Sequence, residues 1–76
     1  MYKYIIKRDR DNKYLAEADE TEKSAYPGLE YSFHPISYLR VLTFNTEEEA
    51  LEALDVYKQN HNVEASDYIH IIKILG

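Results

Sequence analysis

A capping box fixes one helix start in this chain. In Thr46-Glu47-Glu48-Glu49 the Thr46 hydroxyl is placed to accept from the Glu49 amide, while the Glu49 carboxylate can reach back to the Thr46 amide. Ala50, Ala53, Leu54 and Tyr57 then fall on one stripe at helical spacing, with Leu51 and His61 near its edges. Glu48, Glu52, Asp55 and Gln59 occupy the opposite side. The spacing predicts a helix over Glu47 to Asn60, stopped by Asn60-His61-Asn62, with Asn62 suited to a left-handed cap. Two apolar stretches frame it, Tyr38 to Phe44 and Tyr68 to Leu75, and each reads as a strand apolar on both faces. Strand, helix and strand in that order allow a right-handed crossover between two parallel strands, and leave open whether those two strands run parallel or antiparallel. One helix covers only one face of a sheet, so the other must be covered by the Tyr26 to Pro35 segment, by a partner or by a second copy.

The chain before this unit reads as sheet. Tyr2, Tyr4, Ile6 and Arg8 alternate with Lys3, Ile5, Lys7 and Asp9, the period of a half-buried strand. Asp9-Arg10-Asp11-Asn12 predicts a hairpin turn, because Asp and Asn bond locally to the backbone and tolerate left-handed conformations. Lys13 to Ala18 returns as the second strand, with Tyr14, Ala16 and Ala18 sharing a face. Asp19 to Ala25 has no apolar period and reads as a solvated loop. Tyr26-Pro27-Gly28-Leu29 fits a type II turn with glycine at the positive φ. Leu29, Tyr31 and Phe33 alternate as a short third strand, which His34 to Ser37 turns into Tyr38 to Phe44. The fold expected is therefore one small α+β domain of two layers: an antiparallel or mixed sheet of four to five strands with one helix on one face.

Composition narrows the function classes. A domain of 76 residues buries only about 60% of its unfolded surface, which makes a partner or homodimer a natural source of added stability. Without cysteine there is no disulfide framework and no thiolate for zinc, which fits a reducing cytoplasm. No apolar run approaches the roughly 20 residues of a bilayer span, and the first residues alternate like a strand, so neither membrane nor signal segment is expected. The net charge of −5 is divided unevenly. Up to Lys13 five basic residues (Lys3, Lys7, Arg8, Arg10, Lys13) face two acidic ones, a balance of +3; the remainder carries −8.

No catalytic constellation emerges. His34, His61 and His70 are scattered over a turn, a helix end and a strand, with no metal-ligand spacing. His70, in Tyr68-Ile69-His70-Ile71-Ile72, is expected to be a buried strand histidine bonded to a tyrosine or a carboxylate. The glutamates at the helix start complement its dipole, and two glycines allow no phosphate loop. The chain is read as non-enzymatic, with no cofactor and no metal. Its eight tyrosines are expected mainly in the core and rim of the sheet. With Lys3, Lys7, Arg8, Arg10 and Lys13 they also permit a second reading, stacking on single-stranded nucleic acid. Against it, the acidic remainder repels a polyanion. The acidic helix residues Glu47, Glu48, Glu49, Glu52 and Asp55 suggest protein binding, including mimicry of a nucleic-acid backbone. The candidate interaction residues are Glu48, Glu52, Asp55, Lys3, Lys7, Arg10, Tyr31 and Tyr68.

Lys13-Tyr14-Leu15 after a lysine-rich strand, together with Phe44-Asn45-Thr46-Glu47-Glu48-Glu49-Ala50 at the helix start, resembles small uncharacterised proteins of phages and prophages of Gram-positive bacteria. The resemblance implies an accessory protein that binds a host or phage component, and some acidic proteins of that pool resemble anti-CRISPR proteins. The chain departs from that pattern by inserting Tyr26 to Ile36 between hairpin and helix. No catalytic residue is carried over.

Overall fold

A computed structural model describes all residues, 1–76. Strand β1 (Tyr2–Arg8) and strand β2 (Lys13–Glu17) form the hairpin; a short helix α1 (Glu20–Ala25) leads to strand β3 (Tyr31–His34). Helix α2 (Glu47–Asn60), a single 3-10 turn at Ala65–Asp67 and strand β4 (Ile69–Leu75) complete the chain. The sheet is antiparallel throughout, in the order β3-β2-β1-β4. With α2 packed on one face, this is the expected two-layer α+β architecture.

The local rules act where the sequence placed them. Asn12 takes φ 55° to close the hairpin, and Gly28 takes φ 91° in a turn closed by the Leu29 amide donating to the Tyr26 carbonyl. Ala50, Ala53, Leu54 and Tyr57 are the buried residues of α2. They meet Ile6, Leu15 and Phe33 of the sheet, with Tyr4, Tyr31, Phe44, Val63, Ile69 and Ile71 packed around them. The two alanines bring the helix close to the sheet, and the Tyr57 ring stands perpendicular on Phe33 with centroids 5.0 Å apart.

Several expectations are corrected. Asp19 to Ala25 is not a loop: Asp19 accepts from the Glu22 amide (2.7 Å) and Glu22 Oε1 accepts from the Asp19 amide (3.0 Å), a second capping box that starts α1. At α2 the Thr46 hydroxyl does accept from Glu49 (3.2 Å), but the Glu49 carboxylate accepts from the Asn45 amide (3.3 Å) and not from Thr46. Asn62 is not a left-handed cap; α2 ends at His61 in extended conformation, and the left-handed residue is Tyr68, φ 52°. His70 is not buried; half its side chain is exposed, 3.6 Å from Asp9.

Tyr38 to Phe44 is not a strand. The hairpin is paired only at Lys7↔Tyr14 and Arg8↔Lys13 and then opens. Glu17 donates to Arg40 and Leu42 donates to Leu15, so the segment climbs antiparallel to β2; Tyr4 and Phe44 then exchange both backbone bonds, so it descends antiparallel to β1. The reversal at Leu42 and Thr43 makes a wedge that satisfies the backbone groups left bare by the splayed hairpin. At Phe44 the chain runs parallel to β4, but β1 lies between them. Nor does Tyr26 to Pro35 cover the second face of the sheet, since Tyr31–His34 is the sheet's own edge strand and Tyr26, Pro27 and Gly28 are exposed. Towards β3, that face is covered by α1 and by Tyr38, whose ring stacks on His34 at 3.9 Å. Towards β4, Ile72 and Ile74 are left half-exposed.

Candidate functional site

The hairpin basic residues are engaged within the chain. Arg8 makes a two-pronged bond to Asp11, Nη2 at 2.7 Å and Nε at 3.0 Å, while its guanidinium lies 4.4 Å over the Phe33 ring. That bond draws the Asp11 carboxyl below its usual range and holds the Arg8 guanidinium more firmly charged against its partial burial. Lys7 pairs with Asp9 at 3.4 Å, and Lys13 lies 3.9 Å from Asp11. Arg10 Nη1 donates to Asp67 at 2.6 Å; the buried Asp67 also accepts from the Glu64 amide at 3.1 Å, anchoring the 3-10 turn. Lys3 donates to the Asn45 side chain.

The tyrosines do not form a stacking platform. Tyr57 is buried, and Tyr4 and Tyr31 pack at the rim of the core. Burial raises the phenol pKa of both Tyr57 and Tyr31, with Glu30 and Glu17 adding to the effect at Tyr31. Among the exposed rings, Tyr2 and Tyr68 sit at opposite ends of the β1–β4 pairing and Tyr26 lies in the turn after α1. The Tyr2 ring is covered by Lys73, 4.1 Å away.

The candidate residues accordingly separate. Glu48, Glu52 and Asp55 come together on the exposed side of α2, along with Glu47. Lys3 and Lys7 lie on β1, Tyr31 lies on the far edge strand β3, and Arg10 bonds Asp67, the residue before Tyr68, so these five do not gather on one element as the carboxylates do.

The densest polar cluster was not anticipated. Glu22 Oε1 accepts from the Ser32 hydroxyl (3.0 Å) and from the Asp19 amide, and faces His34 Nε2 at 3.0 Å, an arrangement met when that nitrogen carries the ring proton. Burial raises the Glu22 pKa, but the Asp19 amide, His34 and Ser32 together hold it below the usual value. Ser32 Oγ and the carboxylate both meet the same nitrogen, Nε2, with Oγ at 2.8 Å. A nucleophilic relay needs the hydroxyl on one ring nitrogen and the carboxylate on the other. Asp19, Glu22 and His34 also bring three potential metal-ligand atoms within 4.8 Å of one another; Asp19 is used in capping α1, and Glu22 and His34 in tying α1 to β3. The half of the signal legible in sequence was Asp19-x-x-Glu22; the His34 and Ser32 half depends on where β3 docks.

No helix is long and apolar enough to cross a membrane. Compared with protein-family models, curated proteins and solved structures, the chain gives no match.

Proposed function

We propose that this chain is a non-catalytic protein-binding module that engages a basic partner through the outer face of α2. One observation carries the reading: Glu47, Glu48, Glu52 and Asp55 stand exposed along one helix without an ion pair, while Lys7, Arg8, Arg10 and Lys13 are each paired to an aspartate. A row of uncompensated carboxylates on a rigid helix raises the encounter rate with a basic surface and selects against an acidic one. A basic channel that ordinarily holds nucleic acid is the kind of surface it complements. The setting we propose is a cytoplasmic phage or prophage accessory protein, on the resemblance carried by Lys13 to Leu15 and Phe44 to Ala50.

The reading is tested by comparing capture from a bacterial lysate by the natural chain and by the Glu48→Lys, Glu52→Lys, Asp55→Lys triple variant. A basic protein retained by the first, released by salt and lost with the second is the expected result. Steeply salt-dependent binding of the natural chain to single-stranded DNA or heparin would replace it with the hairpin and tyrosine reading.

A further inference from the structure

The two edges of the sheet are unlike. Strand β3 is four residues long and is followed at once by Pro35, two features that blunt an edge. Strand β4 is seven residues, Ile-His-Ile-Ile-Lys-Ile-Leu, without proline or glycine. Its backbone pairing alternates. Asp9 donates to Tyr68 and Gly76 donates to Met1, so residues 70, 72 and 74 bond to β1, and 68 and 76 to the residues flanking it. Tyr4, opposite Lys73, spends both its backbone groups on Phe44, as that alternation requires. The N–H and C=O groups of Ile69, Ile71, Lys73 and Leu75 therefore point outward from the sheet and find no partner in the chain.

We propose that this edge pairs with the same edge of a second copy, antiparallel about a two-fold axis at Ile72, to form one continuous eight-stranded sheet. The edge is complementary to itself in that register. Outward residues meet outward residues, Ile69 with Leu75 and Ile71 with Lys73 of the second copy, so every outward group on all four positions is bonded and all seven residues are paired. The charges agree with it: each Lys73 stands opposite an isoleucine, and its ammonium is laid over its own Tyr2 ring instead of guarding the edge. His70 stands opposite Ile74. Moving the axis to Lys73 would set the two lysines face to face, and moving it to Ile71 would leave the strand ends unpaired.

The side chains supply a second argument. Leu75 is 80% exposed and points to the face on which α2 packs, as Ile69 and Ile71 do. Beside Ile69 a groove of about 580 Å³ opens between β4 and α2, with Leu54, Lys58 and Val63 in its wall. Pairing Ile69 with Leu75 of the second copy brings that exposed leucine to the mouth of this groove, twice by symmetry. On the opposite face the two half-exposed Ile72 side chains meet at the axis. Because the axis is perpendicular to the sheet, both α2 helices lie on the same side, and a dimer presents two acidic faces together. The inference uses a surface different from the outer face of α2 and stands without the reading proposed above.

Sedimentation velocity from low to several hundred micromolar, with amide exchange followed residue by residue, tests it. The natural chain is expected to shift from monomer to dimer, and the amides of Ile69, Ile71, Lys73 and Leu75 to gain protection as it does. Lys73→Pro removes an outward N–H and leaves the β1 ladder intact, so it should abolish the dimer. Leu75→Glu alters a side chain already exposed in the monomer and serves if the proline variant fails to fold; it should weaken dimerisation by about tenfold or more. Leu39→Glu, at a fully exposed position far from the edge, should leave the dimer unchanged. A natural chain that stays monomeric overturns the inference, as does a dimer indifferent to Leu75→Glu or one whose outward β4 amides exchange freely. The triple lysine variant of α2 should dimerise normally, which separates failure of this inference from failure of the partner reading.

Discussion

Glu22 links two segments through one carboxylate: the α1 start at Asp19, and β3 at Ser32 and His34. Because its folded pKa is depressed, its contribution to stability is present above the ordinary glutamate range and is lost as pH falls through the folded value. His34 and Asp19 are the titratable groups that face it. Glu22→Gln should cost about 1 kcal/mol at neutral pH. As pH falls below the ordinary glutamate range and through the folded value, the difference in melting temperature from the natural chain should close; a gap of constant size would show that the charge of Glu22 does not matter. The capping grammar Asp19-x-x-Glu22 is the same as Thr46-x-x-Glu49 and was legible. The box alone does not predict a helix there, because Glu20 to Ala25 lacks an apolar stripe, and α1 indeed buries no residue.

At the scale of elements, α2 formed where its cap and stripe placed it. Thr46→Ala should lower stability by about 1 kcal/mol through loss of the bond to the Glu49 amide, measured by chemical denaturation. Leu54→Ala should cost about 2 to 5 kcal/mol, because Leu54 lies in the core against the sheet. If the two variants lose equally little, α2 is not anchored by that face. Tyr38 to Phe44 shows how apolar character misleads. Leu39, Val41 and Leu42 have the composition of an interior strand, yet Leu39 is 99% exposed and the segment reverses on itself. Its place was decided by the bare backbone groups of Tyr4, Leu15 and Glu17, which a pattern of side chains does not encode.

For the whole molecule, charge is arranged in two ways: ion pairs in the hairpin and repulsion along α2. The hairpin pairs of Lys7 and Lys13 are partly exposed and worth little each, while the helix carboxylates Glu47, Glu48, Glu52 and Asp55 outnumber Lys58 and make no ion pair. Raising ionic strength from low to physiological should therefore raise the melting temperature by screening the helix. A fall would mean the ion pairs of Arg8 and Arg10 dominate. The lopsided charge was plain from the sequence, but its meaning was not. Read along the chain, the basic residues look available to phosphates; folded, Asp11 engages Arg8 and Lys13, and Asp67 engages Arg10 from 57 residues away.

The sequence by itself determined the features that rest on neighbours in the chain. These are the α2 start and buried stripe, the hairpin turn at Asn12, the glycine turn at Gly28, the alternation of β1 and β4, and hence a two-layer α+β domain. Such features need only backbone sterics, side-chain period and bonds spanning three or four residues. Tertiary structure alone decided strand order, the wedge between β1 and β2, the tying of α1 to β3, and which edge was left open. Each depends on which backbone groups remain unpaired once the local elements have formed, and that quantity exists only after the strands have found their partners.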